Sequence, residues 1–237
     1  MTSFPVWDRY EAVLFDLDGV ITPTAEIHER AWTTLFEPYG FTPSDYLTYV
    51  DGKSRYEGVR SFLESRGVDL PFGDPSDPPG DGTICALGNR KNEVFNKILA
   101  RGDVAAYPGT VALLDLLDEL GSAQAIVSSS KNARAVLAAA GMADRFPVVV
   151  DGTTAAAENL ASKPAPDSFL RAAGLLGVAP AATVVVEDAV AGVGAGVAGG
   201  FGFVLGVDRG GNAAALEAAG ANAVVADLAE TLAGRTA

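Results

Sequence analysis

Short apolar runs alternate with longer amphipathic stretches along most of the chain. The apolar runs are rich in Val, Ile and Leu, and they predict β-strands over 12–16, 124–129, 147–151, 183–187, 202–207 and 223–226. The stretches between the later runs have helical periodicity, which predicts helices over 109–120, 131–141, 165–177 and 189–199. Strands that alternate with helices in this way are typical of βαβ units and a parallel sheet. The pattern therefore predicts the α/β fold class.

The alternation is interrupted between the first strand and the second. From residue 17 to residue 123 no convincing strand is present, and the periodicity predicts helices near 25–38, 54–66 and 86–100. A crossover between parallel strands usually takes about a dozen residues or somewhat more, so this segment is too long to be one. We expect a helical domain inserted after the first strand, with an exposed loop at 67–82, where Asp, Pro and Gly are frequent.

Composition narrows the classes of partner. The chain has 237 residues, 49% of them hydrophobic, and a net charge of −13. Nucleic acids and anionic membranes bind basic surfaces, so neither is expected as a partner, although local Lys and Arg side chains can still bind a phosphorylated substrate. The single cysteine, Cys85, excludes an internal disulfide and a cysteine-based zinc site. Since no apolar signal core or membrane-length run is present, we expect a soluble, cytoplasmic protein.

The first predicted strand ends in two closely spaced carboxylates. Asp16 and Asp18 follow the apolar run that begins at Ala12, and Gly19 lets the backbone turn beside a ligand. Ligands of open α/β sheets bind at the carboxyl ends of the strands. The two side chains are therefore candidates for a metal ligand, a nucleophile or an acid/base, with a simple Asp-Gly turn as the structural alternative.

A later predicted strand, 183–187, ends in the same manner. Glu187 closes the strand and Asp188 follows it. Two strands of one sheet that both end in acid pairs would concentrate negative charge unless a cation lies between them. Ligands that consist of oxygen alone suit Mg²⁺, so we expect a magnesium site at these carboxylates.

Two further segments carry hydroxyl and ammonium groups. In Ser128–Asn132 a strand delivers hydroxyls to the start of a helix, which can bind an anion or can be an ordinary serine N-cap. In Ser162–Asp167 the proline after Lys163 holds the lysine backbone extended, whereas a lone lysine before a helix is usually solvated. The glycine-rich run 194–199 fits a dinucleotide fingerprint, but the acids at 187–188 occupy the turn where a pyrophosphate would bind. We expect those glycines to serve close helix packing.

The four chemical segments, in this order, resemble the motifs of the haloacid dehalogenase superfamily of phosphotransferases, which use an aspartate nucleophile. The resemblance covers the whole chain. It implies a Rossmann-like core with an inserted helical cap, and a phospho-aspartate formed with the help of Mg²⁺. It also divides the chain into a core of residues 1–22 and 103–237 and a cap of residues 23–102.

The resemblance implies roles for individual residues. Asp16 matches the nucleophile and Asp18 the general acid/base, whose pKa the neighbouring carboxylate is expected to raise. Ser128 matches the residue that binds the transferring phosphoryl group, and Lys163 the residue that balances its charge. The implied metal ligands are Asp16, Asp18, Glu187 and Asp188.

Segments of the cap resemble the β-phosphoglucomutase group within this superfamily. The matching stretches are Thr22–Trp32, Gly52–Arg55, Arg90–Asn92 and, in the core, Ser128–Asn132. In that group a cap arginine and a Ser-Lys-Asn run of the core hold the phosphate that is not transferred, and the positions of His28 and Lys91 belong to the junction of cap and core. The implied substrate-binding residues are Thr24, His28, Trp32, Gly52, Arg55, Lys91, Ser130, Lys131 and Asn132.

Three functions are open at this point. A β-phosphoglucomutase, which converts β-glucose 1-phosphate to glucose 6-phosphate through glucose 1,6-bisphosphate, accounts for two phosphate-binding ends. A magnesium-dependent phosphatase of sugar phosphates needs only the core site. A non-catalytic sugar-phosphate-binding protein is the remote alternative, because Asp16, Asp18, Lys163 and Asp188 are all present.

Overall fold

The centre of the molecule is a twisted parallel sheet. The structure is a computed structural model that describes residues 4–102 and 104–232. Its strands are β1 (Ala12–Phe15), β2 (Ala123–Val127), β3 (Val148–Val150), β4 (Thr183–Glu187), β5 (Phe203–Val207) and β6 (Ala223–Val225). Their spatial order is β3-β2-β1-β4-β5-β6, and every neighbouring pair is parallel. The order reverses between β1 and β4, which is where open α/β sheets bind ligands. The predicted α/β fold with a Rossmann-like parallel sheet is confirmed.

Helices cover the sheet and fill the segment after β1. They are α1 (Thr24–Phe36), α2 (Arg55–Ser65), α3 (Ile84–Leu99), α4 (Pro108–Leu120), α5 (Ala133–Ala139), α6 (Gly152–Glu158), α7 (Asp167–Leu176), α8 (Val190–Ala198) and α9 (Ala213–Ala218). Shorter helical turns lie at Trp7–Arg9, Glu37–Tyr39, Pro43–Asp45, Tyr46–Val50, Pro180–Ala182 and Leu228–Leu232. Within the described ranges, no helix is long and apolar enough to cross a bilayer.

The strands and helices predicted from the periodicity are all present, and their ends differ from the prediction by at most two residues. Strand β2 stops at Val127 rather than at residue 129, because the Ser128 hydroxyl accepts the N–H of Ser130 at 3.1 Å and turns the chain. The periodicity misses α6 and α9, which have only seven and six residues. Helix α6 is stabilised at its start by Asp151, whose carboxylate accepts two backbone N–H groups at 2.9 Å each.

The two faces of the sheet are buried in separate apolar clusters. Along β1, Val13 and Phe15 belong to one cluster and Leu14 to the other, and none of the three is exposed. This alternation follows from the period of an extended strand that is covered on both sides. Helix α8 lies close to the sheet, since a Cβ at Gly196 would be 3.0 Å from a methyl of Val204. The packing role predicted for the glycines at 194–199 is therefore confirmed.

Helices α1, α2 and α3 enclose an apolar cluster of their own, in which Trp32 stacks on Phe36 with ring centroids 5.4 Å apart. Helices α1 and α3 also reach the sheet cluster, through Ala31 and Phe95. The segment between α2 and α3 forms neither helix nor strand, as predicted for the loop at 67–82. The division into core and cap remains a prediction, and its second boundary falls at Asp103, outside the described residues.

Candidate active site

Three strands deliver polar side chains to one point at the carboxyl edge of the sheet. Asp16 follows β1, Ser128 follows β2 and Glu187 is the last residue of β4. The N–H of Asp16 donates to Val186 O at 2.9 Å, and the N–H of Ser128 donates to Val150 O at 3.0 Å. Both residues are therefore still fixed by the strand ladder. The sheet itself sets the spacing of these side chains.

Lys163 is a buried ammonium that joins two of these strands. Its Nζ lies 2.6 Å from Asp16 Oδ1, 2.5 Å from Glu187 Oε1 and 3.2 Å from Val127 O, and the residue is only 3% exposed. Burial alone would lower the pKa of Lys163, but the two carboxylates raise it above its usual value. Glu187 uses its other oxygen to accept the N–H of Ala189 at 2.9 Å. Glu187 therefore anchors Lys163, with both oxygens already bonded within the protein.

Two glycines make room for the acidic side chains. A Cβ at Gly19 would lie 1.7 Å from Asp188 Oδ2, and the backbone of Gly19 has a φ of +86°. A Cβ at Gly192, on α8, would lie 1.7 Å from Glu187 Oε1. Any larger side chain would displace these carboxylates, so the glycines are part of how the acids are placed.

The carboxylates at this edge outnumber the cations that neutralise them. The pKa of Asp16 is raised to about 8, chiefly by burial and also by the charges of Glu187 and Asp18, although Lys163 opposes the shift. Burial also raises the pKa of Asp188 well above its usual value, with Asp51 as the next cause. The pKa of Asp51 is raised to about 7 by burial and by the charge of Glu187. A group of acids that resists ionisation in this way favours the binding of a cation.

The donor set fits a hard divalent cation. Asp16, Asp18 and Asp188 offer only oxygen, and the side chain of Asp188 has no hydrogen-bond partner among the described residues. No group of three His, Cys, Asp or Glu side chains in the described residues stands at the spacing of a preformed metal site. Of the four predicted ligands, Asp16 and Glu187 each have both carboxylate oxygens hydrogen-bonded within the protein, to Lys163 and to a backbone N–H.

Asp18 is connected to the helices of the predicted cap. Thr24 Oγ1 donates to Asp18 Oδ1, and His28 Nε2 lies 3.5 Å from the same oxygen, which is a loose contact rather than a formed hydrogen bond. Lys91 Nζ lies 2.6 Å from His28 Nδ1, and when Lys91 is a charged ammonium it can only donate, which places the ring proton of a neutral His28 on Nε2, facing Asp18. The pKa of Lys91 is lowered to about 7 by burial and by Arg55.

The prediction that the pKa of Asp18 is raised is wrong. Burial would raise it, but His28 and the Thr24 hydroxyl outweigh burial and hold the pKa below its usual value. The sequence argument considered only the neighbouring Asp16, whereas the structure turns Asp18 towards donors from α1. In this arrangement the Asp18 carboxyl is ionised at neutral pH.

The opposite end of the cleft is cationic. Arg55, at the start of α2, donates from Nη1 to Asn89 Oδ1 at 3.3 Å and from Nη2 to Asn92 Oδ1 at 2.8 Å. Asn132 Nδ2 donates to the same oxygen of Asn92 at 2.8 Å. The residues predicted to hold a second phosphate therefore meet through Asn92. The side chain of Lys131 lies beside them, against the ring of a neighbouring tyrosine.

One cleft brings most of the predicted residues together, and it holds about 610 Å³ when the space open to solvent is included. Thr24 and Lys163 do not line it, because they lie behind Asp18 and Asp16. The predicted residues that line it are Asp16, Asp18, His28, Trp32, Gly52, Arg55, Lys91, Ser128, Ser130, Lys131, Asn132, Glu187 and Asp188.

The sequence argument missed several residues of the cleft. Asp51 lines it and faces the carboxylates of the core, and its position directly before Gly52 was the only available signal. Ser129 also lines the cleft, and its hydroxyl donates to Gly52 O at 2.7 Å. The other lining residues that were not predicted are Tyr46, Val50, Lys53 and Ala189.

Comparison with known proteins agrees with this geometry. A family model described as haloacid dehalogenase-like hydrolase matches residues 10–200. The chain belongs to this family. It is therefore an enzyme, of the hydrolase or isomerase type that the family and its relatives represent.

The relatives include both a mutase and a phosphatase. The beta-phosphoglucomutase of Mycobacterium tuberculosis is 48% identical over 243 residues, which cover 95% of this chain and 92% of that protein. The hexitol phosphatase A of Escherichia coli is 33% identical over 81% of each chain. The crystal structure of a beta-phosphoglucomutase from Clostridium difficile has a TM-score of 0.78 and 30% identity, and the match covers 93% of this chain and 92% of that chain.

Proposed function

We propose that this protein is a β-phosphoglucomutase, which converts β-glucose 1-phosphate to glucose 6-phosphate through glucose 1,6-bisphosphate. The observation that carries the proposal is the two-ended cleft. One end holds Asp16, backed by Lys163, and the other holds Arg55 with Asn132. A mutase must bind a bisphosphate in both orientations, so it needs an anion site at each end.

Asp16 is the proposed nucleophile. Its Oδ1 accepts from Lys163 at 2.6 Å, and its Oδ2 accepts the N–H of Asp18 at 2.9 Å, so the carboxylate is held in one orientation. When it attacks phosphorus, an Asp16 O–P bond forms and the bond from phosphorus to the sugar oxygen breaks. Ser128, at the end of β2, is proposed to bind the transferring group. Covalent capture divides the transfer into two easier steps.

Asp18 is proposed to move the proton in both halves of the cycle. In the step that starts from the phosphorylated enzyme, a sugar hydroxyl attacks phosphorus and Asp18 accepts its proton. The lowered pKa of Asp18, caused by His28 and Thr24 against the effect of burial, keeps the carboxylate ionised and able to accept that proton at neutral pH. In the reverse half the same proton returns to the leaving sugar oxygen.

Mg²⁺ is the proposed cofactor, and Asp16 and Asp188 are the side chains that would hold it, with Asp18 beside them. When bound, it would offset the repulsion between the carboxylate nucleophile and the phosphoryl dianion. Lys163 supplies the second positive charge there. Glu187 acts through Lys163, because it is fully buried and its carboxylate bonds the lysine ammonium.

A phosphatase of sugar phosphates is the second candidate, because hexitol phosphatase A is 33% identical to this chain. It would need only the Asp16 end, and would let water reach the phospho-aspartate. The same proposal includes a core of residues 1–22 and 103–237 and a cap of residues 23–102, supported by the separate apolar cluster of α1 to α3. It also includes a cytoplasmic location and the absence of nucleic-acid or membrane partners, supported by the acidic net charge.

A chase of the labelled phosphoenzyme tests the proposal. The protein is labelled with glucose 1,6-bisphosphate carrying ³²P, and Asp16→Asn is the control that must stay unlabelled. The label is then chased with β-glucose 1-phosphate or with buffer. The mutase proposal predicts transfer of the label to sugar within one turnover and slow release to water. Equal rates of release with and without the sugar would favour the phosphatase.

A further inference from the structure

Asn89, on α3, joins the cationic end of the cleft to the loop between α2 and α3. Its Oδ1 accepts from Arg55 Nη1 at 3.3 Å and from the Tyr56 hydroxyl at 3.0 Å. Its Nδ2 donates to Pro75 O at 3.1 Å and to Asp77 O at 2.9 Å. The amide thus uses both of its donors and its acceptor, and this pairing allows only one orientation of the side chain.

The loop that holds Asn89 is itself bonded to the start of α3. The N–H groups of Ile84 and Cys85 donate to Pro71 O and Phe72 O, each at 3.0 Å. Asp77 Oδ2 accepts from the Thr83 hydroxyl at 2.8 Å, and Thr83 also caps α3. The loop is therefore held against the start of α3 by hydrogen bonds.

Tyr56 extends the same contact to a second cation. A Cβ at Gly88 would lie 2.8 Å from the Tyr56 ring, so this glycine lets the ring approach α3 closely. The centroid of the ring is 5.3 Å from Lys131 Nζ and 6.0 Å from the Arg55 guanidinium. Both cations of the distal end are thus within the range of cation–π attraction to one ring.

We propose that Asn89 is a positioning residue for the distal phosphate, through which the loop of residues 67–83 determines where Arg55 presents its guanidinium. Both terminal nitrogens of Arg55 are held by amide oxygens, from Asn89 on one side and Asn92 on the other. A planar guanidinium binds two phosphate oxygens at once only when its plane is aligned. This inference rests on the proposed function, since it assigns the distal phosphate to Arg55.

The test is a double-mutant cycle with two substrates. Asn89→Ala, Arg55→Ala and the double variant are assayed for kcat/KM on β-glucose 1-phosphate with the 1,6-bisphosphate present, and on acetyl phosphate, which has no distal phosphate. Asn96→Ala is the matched control, because Asn96 is exposed on the same helix. We expect Asn89→Ala to lower kcat/KM on the sugar phosphate about tenfold, mainly through KM, which corresponds to the loss of one charge-assisted hydrogen bond. Acetyl phosphate turnover should stay within about twofold of wild type.

The cycle separates positioning from general stability. If Asn89 acts through Arg55, Asn89→Ala causes no further decrease in kcat/KM in the Arg55→Ala background. Tyr56→Phe, which keeps the ring but loses the hydroxyl bond to Asn89, should show a smaller loss with the same substrate preference. Independent losses that multiply in the double variant, equal losses on both substrates, or wild-type behaviour of Asn89→Ala would each overturn the inference.

Failure of the proposed function is distinguishable from failure of this inference. If the wild-type protein formed no glucose 6-phosphate, the mutase proposal would fail. Asn89 would then be judged by calorimetric affinity for glucose 1,6-bisphosphate. An affinity about tenfold weaker in Asn89→Ala than in Asn96→Ala would support the positioning role, and equal affinities would overturn it.

Discussion

The substitution Lys163→Met removes the ammonium that joins Asp16 to Glu187 and keeps most of the side-chain volume. Lys163 Nζ lies 2.6 Å and 2.5 Å from the two carboxylates, and Glu187 is fully buried. Removal of one partner from a buried ion pair costs about 3–5 kcal/mol, because the charge left behind is unpaired. Native domains have a free energy of unfolding of about 5–15 kcal/mol. The variant should therefore fold but should lose a large part of its stability.

The assay is urea denaturation followed by circular dichroism at pH 8, with thermal unfolding as a second readout. A loss of 3–5 kcal/mol corresponds to a decrease in Tm of about 6–20 °C in a domain of this size. Lys97→Met is the matched control, since Lys97 is exposed on α3, and it should stay within about 0.5 kcal/mol of wild type. The double variant Lys163→Met/Glu187→Gln, which removes one unpaired charge, should recover part of the loss.

The loss of unfolding free energy in Lys163→Met should also depend on pH, and the raised pKa of Asp16 determines the direction. Burial already raises the pKa of Asp16 to about 8 with Lys163 in place, and without the ammonium it rises further. A carboxyl whose folded pKa is raised destabilises the fold progressively between its unfolded and its folded pKa, and by a constant amount above the folded pKa. Below about pH 8 the folded Asp16 is protonated in both proteins, so the stability gap between wild type and Lys163→Met should be constant from pH 5 to pH 7. Above pH 8 the gap should widen, because only the variant still holds that proton in the folded state. A gap under about 1 kcal/mol at pH 8, or one that does not widen above pH 8, would refute the reasoning.

The remaining predictions concern activity and binding. Asp16→Asn should abolish turnover on every phosphate ester while the Tm stays near or above the wild-type value, because the amide cannot form an acyl phosphate; activity within tenfold of wild type would remove Asp16 from the nucleophile role. Chelation by EDTA should abolish activity, and Mg²⁺ should restore it. Asp188→Ala should bind Mn²⁺ far more weakly than wild type, as measured by electron paramagnetic resonance, and an unchanged Mn²⁺ affinity would contradict Asp188 as a metal ligand. Arg55→Ala should lower kcat/KM on β-glucose 1-phosphate about ten- to a hundredfold and leave acetyl phosphate turnover nearly unchanged, whereas equal losses on both substrates would make Arg55 structural. The pKa of Lys91 is lowered to about 7 by burial and by Arg55, so Lys91 is mostly neutral at pH 8, and a bound phosphate dianion should raise that pKa. Calorimetry in two buffers of different ionisation enthalpy should then show proton uptake on binding at pH 8, and its absence in wild type, or its persistence in Lys91→Met, would contradict this assignment.

Local signals explain the parts of the fold and site that the sequence could predict. Asp16 and Glu187 were placed correctly because each follows a buried apolar run, and the carboxyl ends of parallel strands lie at one edge. Ser128 was placed for the same reason. These positions depend on the strand ladder alone, which a run of Val and Ile residues specifies within a few residues of the functional side chain.

Contacts between distant elements explain what the sequence could not predict. The lowered pKa of Asp18 depends on donors from α1, and the engagement of Glu187 depends on a lysine from a loop after α6. The role of Asn89 depends on carbonyls of a loop that its composition described only as exposed. Hydrogen-bond partners of this kind follow from tertiary packing, for which neither periodicity nor spacing carries a signal.

The most direct test of the mutase proposal is ³¹P NMR of the purified protein with Mg²⁺, β-glucose 1-phosphate and a trace of glucose 1,6-bisphosphate. The account predicts that the glucose 6-phosphate signal grows as the substrate signal falls, with little inorganic phosphate, and that Asp16→Asn shows neither change. Inorganic phosphate as the main product, with no glucose 6-phosphate, would contradict the account and would make the protein a phosphatase.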